Sequence, residues 1–309
     1  MSARPRLVVV GDASIDYFVQ VPHIAGNDNK AIGSLSGVYG GGMSANLAAA
    51  AAQHGIAVDL ITKTGAGPDT DEALAELRRL GVSIEHSLRD LAHPTWMCFV
   101  QLDASGEKAL TGADTGIKIP AIEEIDASVL AGADMVAPLA DDLEWAAAVA
   151  ELARGARVAV DLEPDAFEPD QPEFARLLGL SDIVFLNAAS ATKLAATPRD
   201  AAQRLIELGA ELVVISEGAR GASTVDKNGV VHRARLNGEV TAMDTTGAGD
   251  ALAGAFLGAL LGGAEVGESL RRAVAQATRC VTAVGGRTYL SGSQRGDWPD
   301  DLITITTER

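Results

Sequence analysis

Seven residues near the C-terminal end, Asp244-Thr245-Thr246-Gly247-Ala248-Gly249-Asp250, combine an anion cradle with a base. Gly247 and Gly249 keep side chains out of the turn, so main-chain N–H groups can close on a ligand. The first N–H groups of a helix lack internal partners and carry the positive end of its dipole, which suits a phosphate or a developing anion. Asp250 lies in the same turn, where an ionised carboxylate can take a proton from an alcohol. That combination is what phosphoryl transfer to a hydroxyl requires. The same residues also satisfy a plainer reading, a helix capped by Asp244 or Asp250 after a tight glycine turn.

Such a turn must be held by its neighbours. Residues 238–243 read as a short strand before it, and the alanine-rich run after it must be a helix, over 248–261. At the other end, residues 7–10 form an apolar run stopped by Gly11-Asp12, the pattern of a buried strand. Residues 15–21 and 32–39 read as strands that are more polar and irregular, which places them outside the main sheet. Gly40-Gly41-Gly42 breaks the chain before a helix over 43–54.

The pattern then alternates. Strands are expected at 58–62, 134–137, 158–162, 183–186, 212–216 and 222–225, and helices at 69–80, 143–153, 198–208 and 266–284. A hairpin is expected from 95–102 and 108–111 about Asp103-Ala104-Ser105-Gly106, a proline-rich break at 163–172, and a polar tail at the end. Strands alternating with helices imply an α/β fold with a doubly wound, mostly parallel sheet. The strand pairs without crossover helices would form a small separate antiparallel sheet.

Composition narrows the partners. A chain of 309 residues has ample length for a core, and its formal net charge of −17 repels nucleic acid and anionic membrane. An anionic nucleotide would therefore need local positive potential from main-chain N–H groups, Lys, Arg or a metal. Cys98 and Cys280 give neither a disulfide framework nor metal-ligand spacing. Residues 1–6 lead into a strand without a hydrophobic signal region, and residues 251–264 are too short to cross a bilayer, which takes about 20 residues of helix. A cytoplasmic protein is the expectation. No Gly-Lys-Ser/Thr follows a glycine loop, no dinucleotide G-x-G-x-x-G follows the first strand, and the five histidines lack metal-site spacing.

Three stretches in order resemble one family, the PfkB carbohydrate kinases or ribokinase-like group, over essentially the whole length. The turn Asp244 to Asp250, with Gly254 after it, resembles that family's C-terminal signature. Gly41-Gly42-Met43-Ser44-Ala45-Asn46, leading to Gly55, is similar to its N-terminal signature, and Gly11-Asp12-Ala13-Ser14-Ile15-Asp16 to its first strand and substrate-binding aspartate.

The resemblance implies a single ribokinase-like domain over 1–309, with a small β lid formed by about 15–39 and 95–111. It implies ATP-dependent phosphorylation of a hydroxyl on a small sugar, with Asp250 as general base and Gly247, Ala248 and Gly249 offering N–H groups to the phosphoryl group. Asp16, Gly41, Gly42 and Asn46 would hold the acceptor's hydroxyls. Asn187, Ser216, Gly218 and Gly221 match positions that contact ATP. Asn187-Ala188-Ala189-Ser190 lies where the family usually has Asn-x-x-Glu, so Ser190 replaces the glutamate associated with Mg²⁺; Asp161 and Glu163 are candidate substitutes. Asp244 and Thr246 match positions beside a monovalent cation (K⁺) that some members bind.

Other readings stay open at this point. A nucleoside acceptor suits the same fold, and Ser190 also suits a sugar-binding protein of low turnover. Trp96 and Met97 open a lid strand where a basic residue would serve a phosphorylated sugar, which favours an uncharged acceptor. Exposed lid edges would suit a homodimer. Arg287, after Gly285-Gly286, is a further residue that could face the site.

Overall fold

The computed structural model describes residues 4–104, 108–291 and 302–308. Leu7, Val8, Val9 and Val10 are each at most 1% exposed in β1 (Arg6–Gly11), a strand covered on both faces. The chain leaves for β2 (Ser14–Gln20) and β3 (Ser34–Gly41) and returns through α1 (Met43–Ala52) to β4 (Ala57–Ala66). After α2 (Pro68–Arg79), β5 (Val82–Ser83) and β6 (Leu88–Pro94) it makes a second excursion, β7 (Met97–Leu102) and β8 (Lys108–Ala113). Then follow α3 (Ala127–Ala131), β9 (Met135–Pro138), α4 (Leu143–Leu152), β10 (Arg157–Leu162), α5 (Pro172–Leu178) and β11 (Ile183–Asn187). Helices α6 (Ala188–Leu194) and α7 (Pro198–Glu207) lead to β12 (Leu212–Ser216), β13 (Ala222–Asp226) and β14 (Val231–Leu236). Two helices, α8 (Ala248–Leu261) and α9 (Val266–Cys280), precede β15 (Ile303–Glu308).

The main sheet runs β15-β14-β13-β12-β11-β10-β9-β1-β4-β5, with β6 beside β4. It is parallel from β12 to β5 and antiparallel from β12 outward to β15. Side chains of α1, α2, α8 and α9 pack on one face; those of α3, α4, α5 and α7 pack on the other. A separate four-stranded sheet, β3-β2-β7-β8, is antiparallel except for the parallel β2–β7 pair. Its own core is little more than Phe18, Val100 and Leu102, packed with Tyr39 and Val284. At roughly 1.5–3 kcal/mol per buried side chain that is too little to order four strands alone, so this sheet depends on the body it stands against.

Close packing of α8 on α1 sets the site. A Cβ on Gly254 would lie 2.2 Å from the Leu47 carbonyl oxygen, and one on Gly258 2.7 Å from that of Ala51, so the two helices meet backbone to backbone. Asn46 lies one residue before Leu47 on α1, and Asp250 one turn before Gly254 on α8.

Several expectations are corrected. Residues 238–243 form no strand: they run along the surface, with Met243 61% exposed, and its N–H bonds the Val281 carbonyl at 2.7 Å. Helix α9 stops at Cys280 rather than 284, because the chain turns there towards Gly285, whose φ of 90° is left-handed. Part of the expected polar tail is β15, which alternates isoleucine with threonine and pairs with β14. Ser105 and Gly106 of the expected hairpin turn, and residues 292–301 of the tail, lie outside the described residues.

Candidate active site

Gly247 opens α8 at φ 76°, and a Cβ there would sit 2.5 Å from the Gly286 Cα, so only glycine fits. Asp244, 4% exposed, ties the loop together. Its carboxylate accepts from the Thr246 N–H (2.9 Å), the Thr246 hydroxyl (2.7 Å) and the Gly285 N–H (2.9 Å). The Thr246 carbonyl takes the Cys280 thiol at 3.4 Å. This arrangement gives Asp244 a structural task in the turn and lends no support to a monovalent cation there.

The Ala248 N–H points back to the Thr245 carbonyl at 3.3 Å, a long bond. The Gly247 and Gly249 N–H groups form no main-chain hydrogen bond among the described residues. A Cβ built on Gly249 meets nothing within 4 Å, so the space over it is open.

On the other side of the turn, Gly42 has φ 94°, and a Cβ there would lie 2.6 Å from the Ala13 Cα. Asp12 caps α1, accepting the Ser44 N–H on its carboxylate (2.9 Å) and the Ala45 N–H on its carbonyl (3.2 Å). Asn46, 5% exposed, donates its Nδ2 to Asp250 Oδ2 at 2.9 Å. Asp16, 6% exposed, accepts the Ser14 hydroxyl at 2.6 Å, and Gly41 lies so near that a Cβ would be 2.1 Å from Asp16 Oδ2. Beneath them Arg287 is 1% exposed and bonds Glu76, the Gly41 carbonyl and Asn46. It supports the site from below instead of facing it.

Burial raises several of these carboxyls. Asp250 is pushed well above the usual carboxylate range by desolvation; the Asn46 amide opposes this, and Asp161, Asp12 and Glu163 add to it. Asp16 is pushed up to about 6 by burial, against the Ser14 hydroxyl and the Arg287 charge. Asp161 is pushed up to about 7 by burial and by its neighbour Glu163. Acids crowded at the carboxyl ends of β1 and β10 would repel a nucleotide's phosphates unless a cation came between them.

A second cavity adjoins the turn, lined by Asp161, Glu163, Asn187, Ser216, Gly249 and Leu252. Asn187 caps α6 through the Ser190 N–H (2.9 Å) and donates its Nδ2 to Glu163 at 3.1 Å. Ser190 is fully buried, its hydroxyl given to the Leu162 carbonyl at 2.6 Å, so it cannot take over the work of a glutamate reaching into this cavity. Gly218 and Gly221 do not line it. Gly221 instead sits at φ 94° against β14, where a Cβ would lie 2.0 Å from the Ala234 carbonyl oxygen. Among the described residues no three His, Cys, Asp or Glu side chains group to hold a metal ion by themselves.

Two contacts near the site were not legible in the sequence. Lys108 reaches from β8 to the Thr246 hydroxyl at 3.3 Å, bringing a cation to the turn. The Glu76–Arg287 pair joins positions 211 apart, which no local spacing reveals.

Comparison with known proteins shows the family and the fold. The pattern of the pfkB family carbohydrate kinases matches residues 4–291. An ATP-dependent ribose-1-phosphate kinase of Halopiger xanaduensis is 29% identical, covering 98% of this chain and 99% of its own. A ribokinase of Haemophilus influenzae is 27% identical, over 94% and 97%. The structure of Arabidopsis thaliana ribokinase complexed with ribose and ATP superposes with a TM-score of 0.77 at 22% identity, covering 92% of this chain and 94% of that one.

Proposed function

The chain belongs to the pfkB family of carbohydrate kinases, and from that premise we propose that it transfers the γ-phosphoryl group of ATP to a hydroxyl of a pentose, with Asp250 as the general base. The observation that carries this reading is the meeting of Asp250, Asn46 and the open face of Gly249 at one helix start.

Asp250 takes the proton from the acceptor hydroxyl as that oxygen attacks the γ-phosphorus, and the bond from the γ-phosphorus to the β–γ bridging oxygen breaks to release ADP. The Gly247 and Gly249 N–H groups and the start of the α8 dipole carry the charge that builds on the transferring group. Asp16, the Gly41–Gly42 main chain and Asn46 orient the acceptor's hydroxyls. Asn187 and Ser216 line the nucleotide's cavity. The donor set fits Mg²⁺, a hard cation that takes carboxylate and phosphate oxygens together, with Glu163 beside Asn187 in place of a residue at 190. When bound, Mg²⁺ neutralises charge between the ATP phosphates and these carboxylates. The sheet β3-β2-β7-β8 serves as the lid that keeps water out. Exposed Leu35 (63%) and Phe99 (41%) on that sheet support a homodimer through it.

Lys108 favours a second reading, a pentose already carrying a phosphate, because it brings a cation from the lid sheet to the turn. The kinship with a ribose-1-phosphate kinase points the same way. Acceptor-dependent ADP release from ATP and Mg²⁺, measured with ribose, ribose 1-phosphate and a set of nucleosides, separates the readings. Release with either ribose compound supports the pentose assignment; release with nucleosides alone, or with none, rejects it.

A further inference from the structure

Arg287 is among the largest fully buried side chains. Its Nε donates to Glu76 Oε2 at 2.7 Å; its Nη1 donates to the Gly41 carbonyl at 3.1 Å and to Asn46 Oδ1 at 3.4 Å. Its Nη2 has no hydrogen-bond partner among the described residues. A Cβ on Gly40 would lie 1.8 Å from that nitrogen, so the chain gives up a side chain at 40 to admit the guanidinium.

These features do not serve stability well. A buried donor left unpaired is destabilising, and an apolar side chain of similar size would avoid that cost. What the guanidinium uniquely does is choose between the two faces of an amide. Asn46 has one oxygen and one NH₂ group, and a donor on one side leaves the NH₂ for the other. Arg287 takes the oxygen at 3.4 Å, and the NH₂ meets Asp250 at 2.9 Å. We infer that Arg287 is a positioning residue: anchored by Glu76, it fixes the Asn46 amide so that its NH₂ group faces Asp250, and it pins the Gly41 carbonyl at the acceptor side in the same stroke. The inference deepens the kinase reading, in which Asp250 is the base.

An NH₂ group presented to Asp250 stabilises its ionised form, whereas an amide not held by Arg287 is free to turn its oxygen towards the carboxyl, which favours the protonated form. The other groups facing Asp250 are Asp161 from β10, Glu163 after it, Asp12 after β1, Cys280 from α9 and Tyr289 beyond it. All are retained in the variants below, so differences between variants report the relay.

The test is a carbon-13 NMR titration of the Asp250 carboxyl, assigned by its loss in Asp250→Asn, which needs no turnover and no substrate. Arg287→Met should move the midpoint upward, and Asn46→Ala should do the same. The double variant should move no further than Asn46→Ala alone, since a direct effect of the Arg287 charge would add to it. Arg287→Lys, which keeps the charge without the fork, should return only part of the shift. An unmoved midpoint in a folded Arg287→Met protein, or additive shifts in the double variant, overturns the inference. Should Arg287→Met fail to fold, Glu76→Gln replaces it: a smaller upward shift supports the relay, and none overturns it. Failure of the ADP-release assay would remove the kinase reading and leave this titration standing.

Discussion

Asn46 on α1 and Asp250 on α8 meet across 2.9 Å although 204 positions separate them in sequence. The contact exists because Gly254, one turn beyond Asp250, lets α8 rest on the backbone of α1 beside Leu47. Under the proposed kinase reading, helix spacing here sets the geometry of the base. Gly254→Val should push the helices apart, cost about 2–4 kcal/mol in chemical denaturation, and reduce turnover more than acceptor binding. Unchanged turnover in that variant would show that the two helices can separate without disturbing the base.

Gly247 tests the turn itself. At φ 76° with Gly286 2.5 Å from a would-be Cβ, Gly247→Ala combines backbone strain with a clash. We expect a loss of roughly 2–3 kcal/mol of stability and a fall in kcat of about 100-fold, from moving one donor of the anion cradle. Urea unfolding and steady-state kinetics measure the two. A stable variant with wild-type kcat would remove the Gly247 N–H from the mechanism.

Buried Asp16 makes stability depend on pH. Its carboxyl is raised from 3.8 to about 6 in the folded protein, so the folded state holds its proton longer than the unfolded chain does. The contribution favouring the fold is complete below about pH 4 and is lost as pH rises through about 6. Asp16→Asn should accordingly unfold at higher urea concentration than the parent at pH 7.5, by about 1–3 kcal/mol, and show a flatter dependence between pH 4 and 7. It should also bind the acceptor weakly. Equal slopes in the two proteins would mean that the carboxyl is not titrating in that window.

Glu163 should carry the metal dependence that Ser190 cannot. Glu163→Gln keeps a partner for Asn187 but removes a charge from the nucleotide cavity. The Mg²⁺ concentration for half-maximal ADP release should rise about tenfold or more, with the acceptor KM little changed. An unaltered Mg²⁺ requirement would send the search for a carboxylate partner elsewhere, to Asp161 first.

The main parallel strands were readable because strands covered on both faces are continuous apolar runs, as residues 7–10 and 212–215 are. The antiparallel edge was harder. Strand β14 buries only Val231 and Ala234 and exposes Arg233 and Arg235, and β15 buries only Ile303, so neither presents a continuous apolar run. Residues 238–243 hold only Val240 and Thr241 as β-favouring types, among Gly238, Glu239 and Ala242, which disfavour strands, and they lie at the surface without a partner strand. In the site, motif residues named Asp250 and Asn46 individually, but their pairing is a property of helix packing. Asp244 and Gly221 carry ligand-like signatures and spend them on the protein's own turn and hairpin. Arg287 left no spacing to read, since Glu76, Gly41 and Asn46 reach it only in the folded chain.

The role of Asp250 is tested most directly by comparing Asp250→Asn with the parent in two measurements, acceptor-dependent ADP release and acceptor binding by calorimetry. The base acts in the transition state, so turnover should fall by about 1,000-fold or more while the acceptor's Kd changes less than about fivefold. Turnover within about tenfold of the parent, or binding lost together with turnover, would contradict the assignment of this carboxylate as the group that accepts the hydroxyl proton.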